Sequence, residues 1–334
     1  MNPTIKDVAL KANVSIATVS RVLNNLTGYS DQTRLKVNRA IQELGYQPNA
    51  IARGLINKRT QTIGVMFPDV SSAFSYDLLQ GIDKFAHDHN YSVMVCNTDQ
   101  NGIRTLKYLQ LLREKQVDGI IFSSGVLKKE YYDVLDSMNI PVVLVSTQTD
   151  FANVPYVKVD DYQAVYDSVS YLISKGHSKI AMISGTEGDP IAGTPRVEGY
   201  LKALEDHGLP FESRYLVYGD FSFQDGCTGM ETLLEQAPEV TAVFAASDEA
   251  AIGALSTVTR LGMNVPGDFS IMGYDDIRMA QMVSPPLTTV RQPLFDIGRI
   301  ASEKLITMIE TGEVVQSAII AHSIVERQTV RNLT

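Results

Sequence analysis

The chain has 334 residues, of which 44% are apolar and 20% charged, a composition typical of a folded globular protein with two or three domains. No apolar run approaches the roughly 18 residues of a membrane helix, and the N-terminus lacks the pattern of a secretory signal. Cys96 and Cys227 form no CxxC pair. We therefore expect a reduced cytoplasmic protein without a disulfide framework, a cysteine zinc site or a membrane partner.

The charge is distributed unevenly along the chain. Residues 1–59 contain nine Lys and Arg against three Asp and Glu, a net charge of +6, whereas the whole chain carries −9. A basic head on an acidic body favours a polyanionic partner for the head. A solvated helical surface would give the same charge, so the charge alone does not decide between the two.

Residues 4–45 lack a strand pattern and are predicted to form three short helices. Thr4, followed by an acid three residues later, resembles a capping box at the start of the first helix. A turn at Asn13-Val14 leads to Ser15, which can cap a second helix over Ile16 to Asn24. Apolar residues at helical spacing are expected to face inward: Val8, Ala9, Ala12, Val19, Val22 and Leu23.

The outward face of this second helix suits the major groove of DNA, as in a helix-turn-helix. Arg21 can bond a guanine edge, Asn24 can reach bases or phosphate, and Ile16 and Ala17 can touch thymine methyl groups. Hydroxyl groups predicted to bond phosphates are those of Thr4, Ser15, Thr18 and Ser20. A small helical bundle without a ligand would share this pattern.

The helical head ends at a break over residues 45–48, and residues 49–57 are long enough for only about two helical turns. Such a helix is marginal on its own in water. Leu55 nevertheless presents a large apolar side chain in this segment, which is too short to build a core. Either Leu55 docks on its own body domain or the segment needs a partner.

From residue 62 onward, short apolar runs alternate with amphipathic helical patterns. The predicted strands are residues 62–68, 92–97, 119–123, 141–145, 179–184, 241–246 and 269–273. Helical patterns lie between them, for example at residues 74–89, 103–115, 162–175, 196–207 and 249–261. This alternation predicts an α/β body with parallel sheets. The number of units favours two doubly wound subdomains, of about residues 61–160 plus 291–320 and 161–290 plus 321–334.

Several polar and aromatic residues fall at the carboxyl ends of predicted strands, where paired α/β units bind ligands. The candidate effector contacts are Ser72, Phe74, Arg196, Phe221, Asp248 and Asp275. A carboxylate, a guanidinium and an aromatic face suit a polyhydroxylated ring. Asp248 and Asp275 could instead cap helices. Arg196 could form a surface ion pair, and Phe221 could pack in the core.

An enzyme is not expected, because the sequence has no P-loop, GxGxxG, GxSxG or HExxH motif. We therefore predict no catalytic residues, no cofactor and no metal ion. A sugar-binding module without a DNA function is a further alternative, but the intact basic head argues against it.

Several segments resemble the lactose-repressor (LacI/GalR) family of bacterial transcription regulators. They are residues 4–9, 14–24, 45–55, 119–122, 273–276 and 286–290, and the resemblance covers essentially the whole chain. It implies a helix-turn-helix head at residues 1–47, and a hinge helix and linker at residues 48–60. Residues 61–334 would form a periplasmic-binding-protein-like body for effector binding and dimerisation.

The resemblance also implies a function. A homodimer would bind palindromic operator DNA and repress a carbohydrate-utilisation operon, under allosteric control by a sugar or sugar phosphate in the cleft between the subdomains. Paired hinge helices would insert Leu55 into the minor groove, with Asn49 and Arg53 bonding the nearby backbone or groove edges. Residues matching Arg196 and Asp275 would bond the effector, and an aromatic residue near Phe221 would stack on its ring.

An alternative within the family is a global carbon regulator that uses a serine-phosphorylated phosphocarrier protein as corepressor. The partner would dock partly on the helix matching residues 295–309, where Arg299 and Lys304 could contact phosphate. Glu303 and Thr307, however, stand where basic residues are expected, and a carboxylate there would repel phosphoserine. The sequence therefore favours a local, sugar-responsive regulator.

Overall fold

The computed structural model describes residues 3–23, 26–46, 59–99, 102–123 and 125–334. The chain divides into two compact units, residues 1–61 and residues 62–334. The first unit holds the predicted helical head. The second holds the predicted α/β body.

The head consists of helices α1 (Ile5–Ala12), α2 (Ile16–Leu23) and α3 (Asp31–Leu44). Asn13 ends α1 in the left-handed region at φ 53°. The Ser15 hydroxyl then accepts a 3.1 Å hydrogen bond from the Thr18 amide, so Ser15 caps α2 as predicted. The core of the head is built from small and β-branched side chains: Val8, Ala9, Ala12, Val19, Val22, Val37 and Ala40. The inward face predicted from helical spacing is therefore confirmed.

The body contains two sheets. Its described strands are β1 (Thr62–Phe67), β2 (Ser92–Asn97), β3 (Gly119–Phe122), β4 (Val142–Val145), β5 (Tyr156–Val159), β6 (Ile180–Ile183), β7 (Leu216–Val217), β8 (Ala242–Ala245), β9 (Ser270–Asp275), β10 (Thr288–Arg291), β11 (Ala318–Ile320) and β12 (Ser323–Val325). Its described helices are α4 (Ala73–Asp88), α5 (Thr105–Glu114), α6 (Lys129–Met138), α7 (Asp161–Ser174), α8 (Gly193–Asp206), α9 (Phe223–Gln236), α10 (Asp248–Arg260) and α11 (Leu294–Thr311).

The first sheet has the strand order β11-β5-β4-β3-β1-β2, and its strands are parallel. The second sheet has the order β12-β10-β9-β8-β6-β7, in which β12 alone of the described strands runs antiparallel to its neighbour. Strands such as β3, β4, β6 and β8 are buried along their whole length, as expected for parallel strands covered on both faces. The predicted α/β class with two doubly wound sheets is confirmed.

The chain crosses between the two sheets more than once. It passes from β5 to α7 at residues 159–161, returns from β10 to α11 at residues 291–294, and crosses again from β11 to β12 at residues 320–323. The chain was predicted to return to the first subdomain at about residue 291, and it does so directly after β10, which pairs with β9.

Helix α11 packs on the first sheet against α4, and glycines allow the two helices to approach closely. A Cβ built on Gly81 would lie 1.9 Å from the Phe295 carbonyl oxygen, and one on Gly298 would lie 2.1 Å from the Leu78 carbonyl oxygen. Each helix thus needs a glycine where it meets the backbone of the other. This contact joins the returning part of the chain to the first sheet.

Candidate functional site

A cavity of about 550 Å³ opens at the carboxyl ends of strands from both sheets of the body. Its volume lies in the range of small-molecule sites. Open α/β sheets bind their ligands in a crevice at the carboxyl ends of the strands. Five of the six predicted effector contacts line it: Ser72, Phe74, Arg196, Phe221 and Asp275. The structure thus brings together residues that are separated by up to about 200 positions in the sequence.

Arg196 lies on α8 and is buried, with 6% of its surface exposed. Its Nε and Nη2 atoms donate to Oδ1 of Asp161 at 2.9 and 2.8 Å, and Nη1 donates to the Ala246 carbonyl at 2.5 Å. The guanidinium also lies over the rings of Tyr274 and Phe221, with its central carbon 3.9 and 5.4 Å from the ring centres. The alternative of a surface ion pair is therefore wrong, and Arg196 forms a fixed part of the cavity wall.

Two charged residues of the wall, Lys158 and Asp161, were not predicted from the sequence. Lys158 lies on β5 with 6% of its surface exposed, and its Nζ lies 3.3 Å from Oδ2 of Asp161 and 3.4 Å from Oε1 of Gln148. Asp161, the first residue of α7, also accepts a 3.1 Å hydrogen bond from the Tyr274 hydroxyl. One carboxylate therefore serves two buried cations. The signal in the sequence was a lysine inside the apolar run of residues 156–159.

Asp275 ends β9 and is 7% exposed. Its Oδ1 atom accepts a 2.7 Å hydrogen bond from Nε2 of Gln292. Burial raises the pKa of Asp275 to about 7, although the nearby Arg196 guanidinium and the Gln292 amide act in the opposite direction. The residue that caps the next short helix is Ile277, so the helix-capping alternative for Asp275 finds no support.

Asp275 stands in a strained turn, with a φ of 115°, and Asp276 follows at 57°. Non-glycine residues rarely adopt such angles unless the surroundings impose them. The side chain of Asp276 is 4% exposed and holds two arginines, with Oδ2 at 2.6 Å from Arg291 Nε and Oδ1 at 2.5 Å from Arg327 Nη2. These ion pairs fix the turn and so aim Asp275 at the cavity.

Asp248 corrects the sequence prediction, because it does not line the cavity. It is fully buried at the start of α10, where the capping residue is Ser247. Oδ2 of Asp248 accepts a 2.8 Å hydrogen bond from the Ile277 amide, and Oδ1 accepts a 2.5 Å bond from the Thr289 hydroxyl. Both carboxylate oxygens of Asp248 are therefore occupied behind the cavity wall. They connect the start of α10 to β10 and to the segment that follows β9.

The ring of Phe221 packs against Gly185 so closely that a Cβ there would lie 1.9 Å from the ring's Cζ. This contact and a φ of 62° at Phe221 hold the ring at the cavity wall, where it also packs against the core of the second sheet. On the opposite side, Ser72 caps α4 by accepting a 3.2 Å hydrogen bond from the Ser75 amide. The next residue in the chain, Ala73, donates its amide to Oε1 of Glu249 at 3.4 Å and so links α4 with α10.

In the head, the predicted DNA-facing side of α2 is open. Ile16 is 45% exposed, and Ala17 and Arg21 are also exposed. Glu43 pairs with Lys11 and Arg39, and Asp31 pairs with Arg34. Within the described part of the head, no ion pair involves the remaining cations of α1 to α3: Lys6, Arg21 and Lys36.

Three of the four hydroxyl groups predicted to meet phosphates lie at or near helix starts. Thr4 donates its hydroxyl to Asp7 at 2.7 Å, and the Ser15 and Thr18 hydroxyls lie 2.8 Å apart. Ser20 is half-buried on α2. The remaining predicted DNA contacts lie outside the described residues: Asn24, Asn49, Arg53 and Leu55. The same holds for most of the predicted hinge.

The exposed face of α11 carries the residues considered for a phosphocarrier partner. Arg299 pairs with Asp296 at 3.4 Å and with Glu303 at 3.2 Å. Nζ of Lys304 donates to the Gln316 carbonyl at 2.7 Å, and the Thr307 hydroxyl donates to the Glu303 carbonyl at 2.8 Å. The two cations are therefore already engaged within the chain.

Two further properties concern only the residues that the structure describes. None of their helices combines the length and apolar character that crossing a membrane requires. They also contain no cluster of three or more His, Cys, Asp or Glu side chains suited to a metal ion.

Two protein-family models match the chain. Residues 4–49 match the family described as "Bacterial regulatory proteins, lacI family". Residues 60–328 match "Periplasmic binding proteins and sugar binding domain of LacI family". Residues 50–59 separate the two matches, and the boundary between the head and the body units follows at residue 61.

Individual relatives match the chain over nearly its whole length. Catabolite control protein A of Priestia megaterium is 42% identical over 333 residues, which are 99% of this chain and 100% of the relative. A structure of the lac repressor dimer bound to operator and the anti-inducer ONPF has a TM-score of 0.88 at 26% identity, covering 99% of this chain and 100% of that one. A structure of the transcriptional regulator CelR–cellobiose complex has a TM-score of 0.75 at 30% identity. The match covers 98% of this chain and 99% of that one.

Proposed function

Because this chain belongs to the LacI family of bacterial regulatory proteins, we propose that a sugar in its body cavity controls how its homodimer binds a palindromic operator. The chain is a sequence-specific DNA-binding transcription regulator with a sugar-binding domain, and it is not an enzyme. The regulated genes would be those of a carbohydrate-utilisation operon. The homodimer is carried over from the lac repressor dimer that the chain resembles.

The observation that carries the effector role is the convergence of three kinds of group in one cavity. Arg196 supplies donors, Asp275 supplies a carboxyl group, and Phe221 supplies an aromatic face. Sugar hydroxyls can donate to carboxylates and accept from a guanidinium, and the apolar face of a sugar ring packs on an aromatic ring. The cellobiose named in the CelR complex is a ligand of this chemical class.

Control of DNA binding follows from the position of the cavity between the two sheets. A ligand that contacts both sides favours one arrangement of the two subdomains over others. A two-state element of this kind couples two sites by about 1–3 kcal/mol, or roughly 5–150-fold in affinity. The link from Ala73 to Glu249 lies across the same cleft, so closure would act on α4 and α10 directly.

At the operator, we place α2 in the major groove, with Arg21 at a guanine edge and with Ile16 and Ala17 against thymine methyls. The exposed side of α2 supports this assignment, and so does Arg21, which joins no ion pair within the described part of the head. Leu55 from each hinge would enter the minor groove at the centre of the operator.

The alternative with a phosphocarrier corepressor is weaker. The identity to catabolite control protein A favours it. However, Arg299 is already neutralised by Asp296 and Glu303, and a phosphoserine would have to displace Glu303 against like-charge repulsion. A sugar alone is therefore the primary effector in our proposal.

The proposed function can be tested with fluorescence-labelled operator DNA. Fragments upstream of carbohydrate genes in the source genome would be screened by gel shift, and the bound fragment would then be titrated with and without a panel of sugars. We expect binding to a palindrome and a change in affinity of roughly 5–150-fold with one sugar. Equal binding to operator and random DNA would contradict the DNA-binding assignment, and a bound sugar without effect on operator affinity would contradict the control.

A further inference from the structure

We propose that Lys158 selects a sugar acid, so that the effector carries a single carboxylate that binds the Lys158 ammonium group. This assignment rests on the proposed function, because it concerns the ligand of the same cavity. It adds that the cavity binds a negatively charged sugar in preference to a neutral one.

Lys158 is a buried cation with weak partners. Its Nζ lies 3.3 Å from Asp161 and 3.4 Å from Gln148, whereas charge-assisted hydrogen bonds are usually about 2.7–2.9 Å long. An ammonium group has three donors, and burying it without good acceptors costs free energy. Lys158 also lines the cavity, so an acceptor on a ligand can reach it.

In the deep part of the cavity, Lys158 has the weaker share of the two buried carboxyl groups. Arg196 takes the shorter bonds of Asp161, at 2.8 and 2.9 Å, and leaves Lys158 with the longer one. The other buried carboxyl group, Asp275, is bonded to the neutral Gln292 amide. Burial raises the pKa of Asp275 to about 7 and so favours the neutral form of this carboxyl group. A carboxylate on a ligand would therefore give the Lys158 ammonium group the close acceptor that it lacks.

The outer part of the cavity argues for a carboxylate rather than a phosphate. Four acids line it in more exposed positions: Asp69, Asp189, Asp220 and Glu249. Their hydrogen-bond partners are neutral hydroxyl and amide groups, so their negative charge remains. A phosphate monoester carries close to two negative charges at neutral pH and would be repelled more strongly than a carboxylate. Sugar hydroxyls can meet these outer acids as donors.

The test compares matched ligands on matched variants of the full chain. Calorimetric titration would be run with glucose, galactose and mannose, with glucuronate, galacturonate, mannuronate and gluconate, and with glucose 6-phosphate. The proteins would be the wild type, Lys158→Met, Lys158→Gln and Lys128→Met. Lys128 is the control because it also lines the cavity but is exposed. Operator binding without sugar checks that each variant is folded.

We expect one sugar acid to bind the wild type about ten- to a hundred-fold more tightly than its neutral parent, which is the usual worth of a charge-assisted hydrogen bond. Both Lys158 variants should lose this preference, so that they bind each acid no more tightly than its neutral parent, and Lys128→Met should keep the preference. If the Lys158 variants do not fold, the affinities of the wild type for the acid and for its neutral parent still show whether the cavity selects a sugar acid.

Three results would overturn the assignment. A neutral sugar that binds the wild type as tightly as its acid, and that still changes operator affinity, would leave the proposed function standing without the charge selection. Tighter binding of glucose 6-phosphate than of any sugar acid would exclude the carboxylate. Failure of every sugar, neutral or charged, to bind would remove the sugar effector and the selection by Lys158 together.

Discussion

Gln292 donates a 2.7 Å hydrogen bond from its amide to Oδ1 of Asp275, and this bond ties the end of β9 to the start of a crossover between the two sheets. Gln292 follows β10 of the second sheet and lies two residues before α11, which packs on the first sheet. A ligand that binds Asp275 therefore acts on a residue at the joint between the subdomains.

The carboxyl group of Asp275 predicts a specific pH dependence of stability. Because burial raises its pKa to about 7 from about 3.9 in the unfolded chain, the folded state holds this proton more tightly. The stabilisation is complete below about pH 4 and is lost as the pH rises through 7. Relative to Asp275→Asn, the wild type should lose roughly 2–4 kcal/mol of unfolding free energy between pH 4 and 8.

Urea unfolding of both proteins at several pH values measures this difference, with Asp150→Asn as a control because Asp150 is exposed. Parallel pH profiles for the wild type and Asp275→Asn would show that Asp275 titrates in its ordinary range.

The contact between α4 and α11 predicts an unusually costly alanine substitution. In Gly298→Ala, the added methyl group would lie 2.1 Å from the Leu78 carbonyl oxygen, so the helices must separate. We expect a loss of about 1–3 kcal/mol in unfolding free energy, as for overpacking elsewhere. Gly229→Ala is the matched control, since the three atoms nearest its methyl group would be side-chain atoms of Ile183, at 3.0 Å or more. Equal melting temperatures for the two variants would contradict the close crossing.

Much of the fold was predictable because it rests on local patterns. The spacing of Val19 and Val22 gave the buried face of α2, and the apolar runs gave β3, β4, β6 and β8 to within a residue or two. Helix α9 was not among the predicted examples, and its glycines weaken the helical pattern. One of them, Gly226, is required by tertiary packing, since a Cβ there would lie 2.0 Å from the Ala250 carbonyl.

The site was harder to predict, because its partners are distant in the sequence. Arg196 was identified, but its ion pair with Asp161 spans 35 positions and leaves no local signal. Strand β5 was missed along with Lys158, since a lysine interrupts an apolar run and is rarely buried. Asp248 was predicted to line the cavity because it follows strand β8, in the same way that Asp275 stands at the end of strand β9. Only the tertiary bonds to Ile277 and Thr289 show that it lies behind the wall.

The open face of α2 predicts how Arg21 reads DNA. Arg21→Ala should cost about 1–3 kcal/mol of operator affinity and relax specificity at one base position, because a bidentate contact to guanine is lost. Binding to a set of operators with single base changes measures this. Arg39→Ala is the control, since Arg39 pairs with Glu43. If Arg21→Ala weakens binding to operator and random DNA equally, Arg21 contacts phosphate instead.

The hinge, which lies outside the described residues, carries a separate prediction. Leu55→Ala should reduce operator affinity and bending, because an apolar wedge between base steps is removed. Sugar binding to the body should stay the same, since the cavity is built from other residues. Circular-permutation gel shifts give the bend angle. The same angle for Leu55→Ala and the wild type would show that Leu55 is not the wedge.

The central claim is that the body cavity and the operator are coupled, and reciprocal titration of Asp275→Ala tests it most directly. In the wild type, the effector sugar should change operator affinity by roughly 5–150-fold, and operator should change sugar affinity by the same factor. In Asp275→Ala, operator binding without sugar should be unchanged, and the response to sugar should disappear. A sugar response with unchanged midpoint and amplitude in Asp275→Ala would contradict the account.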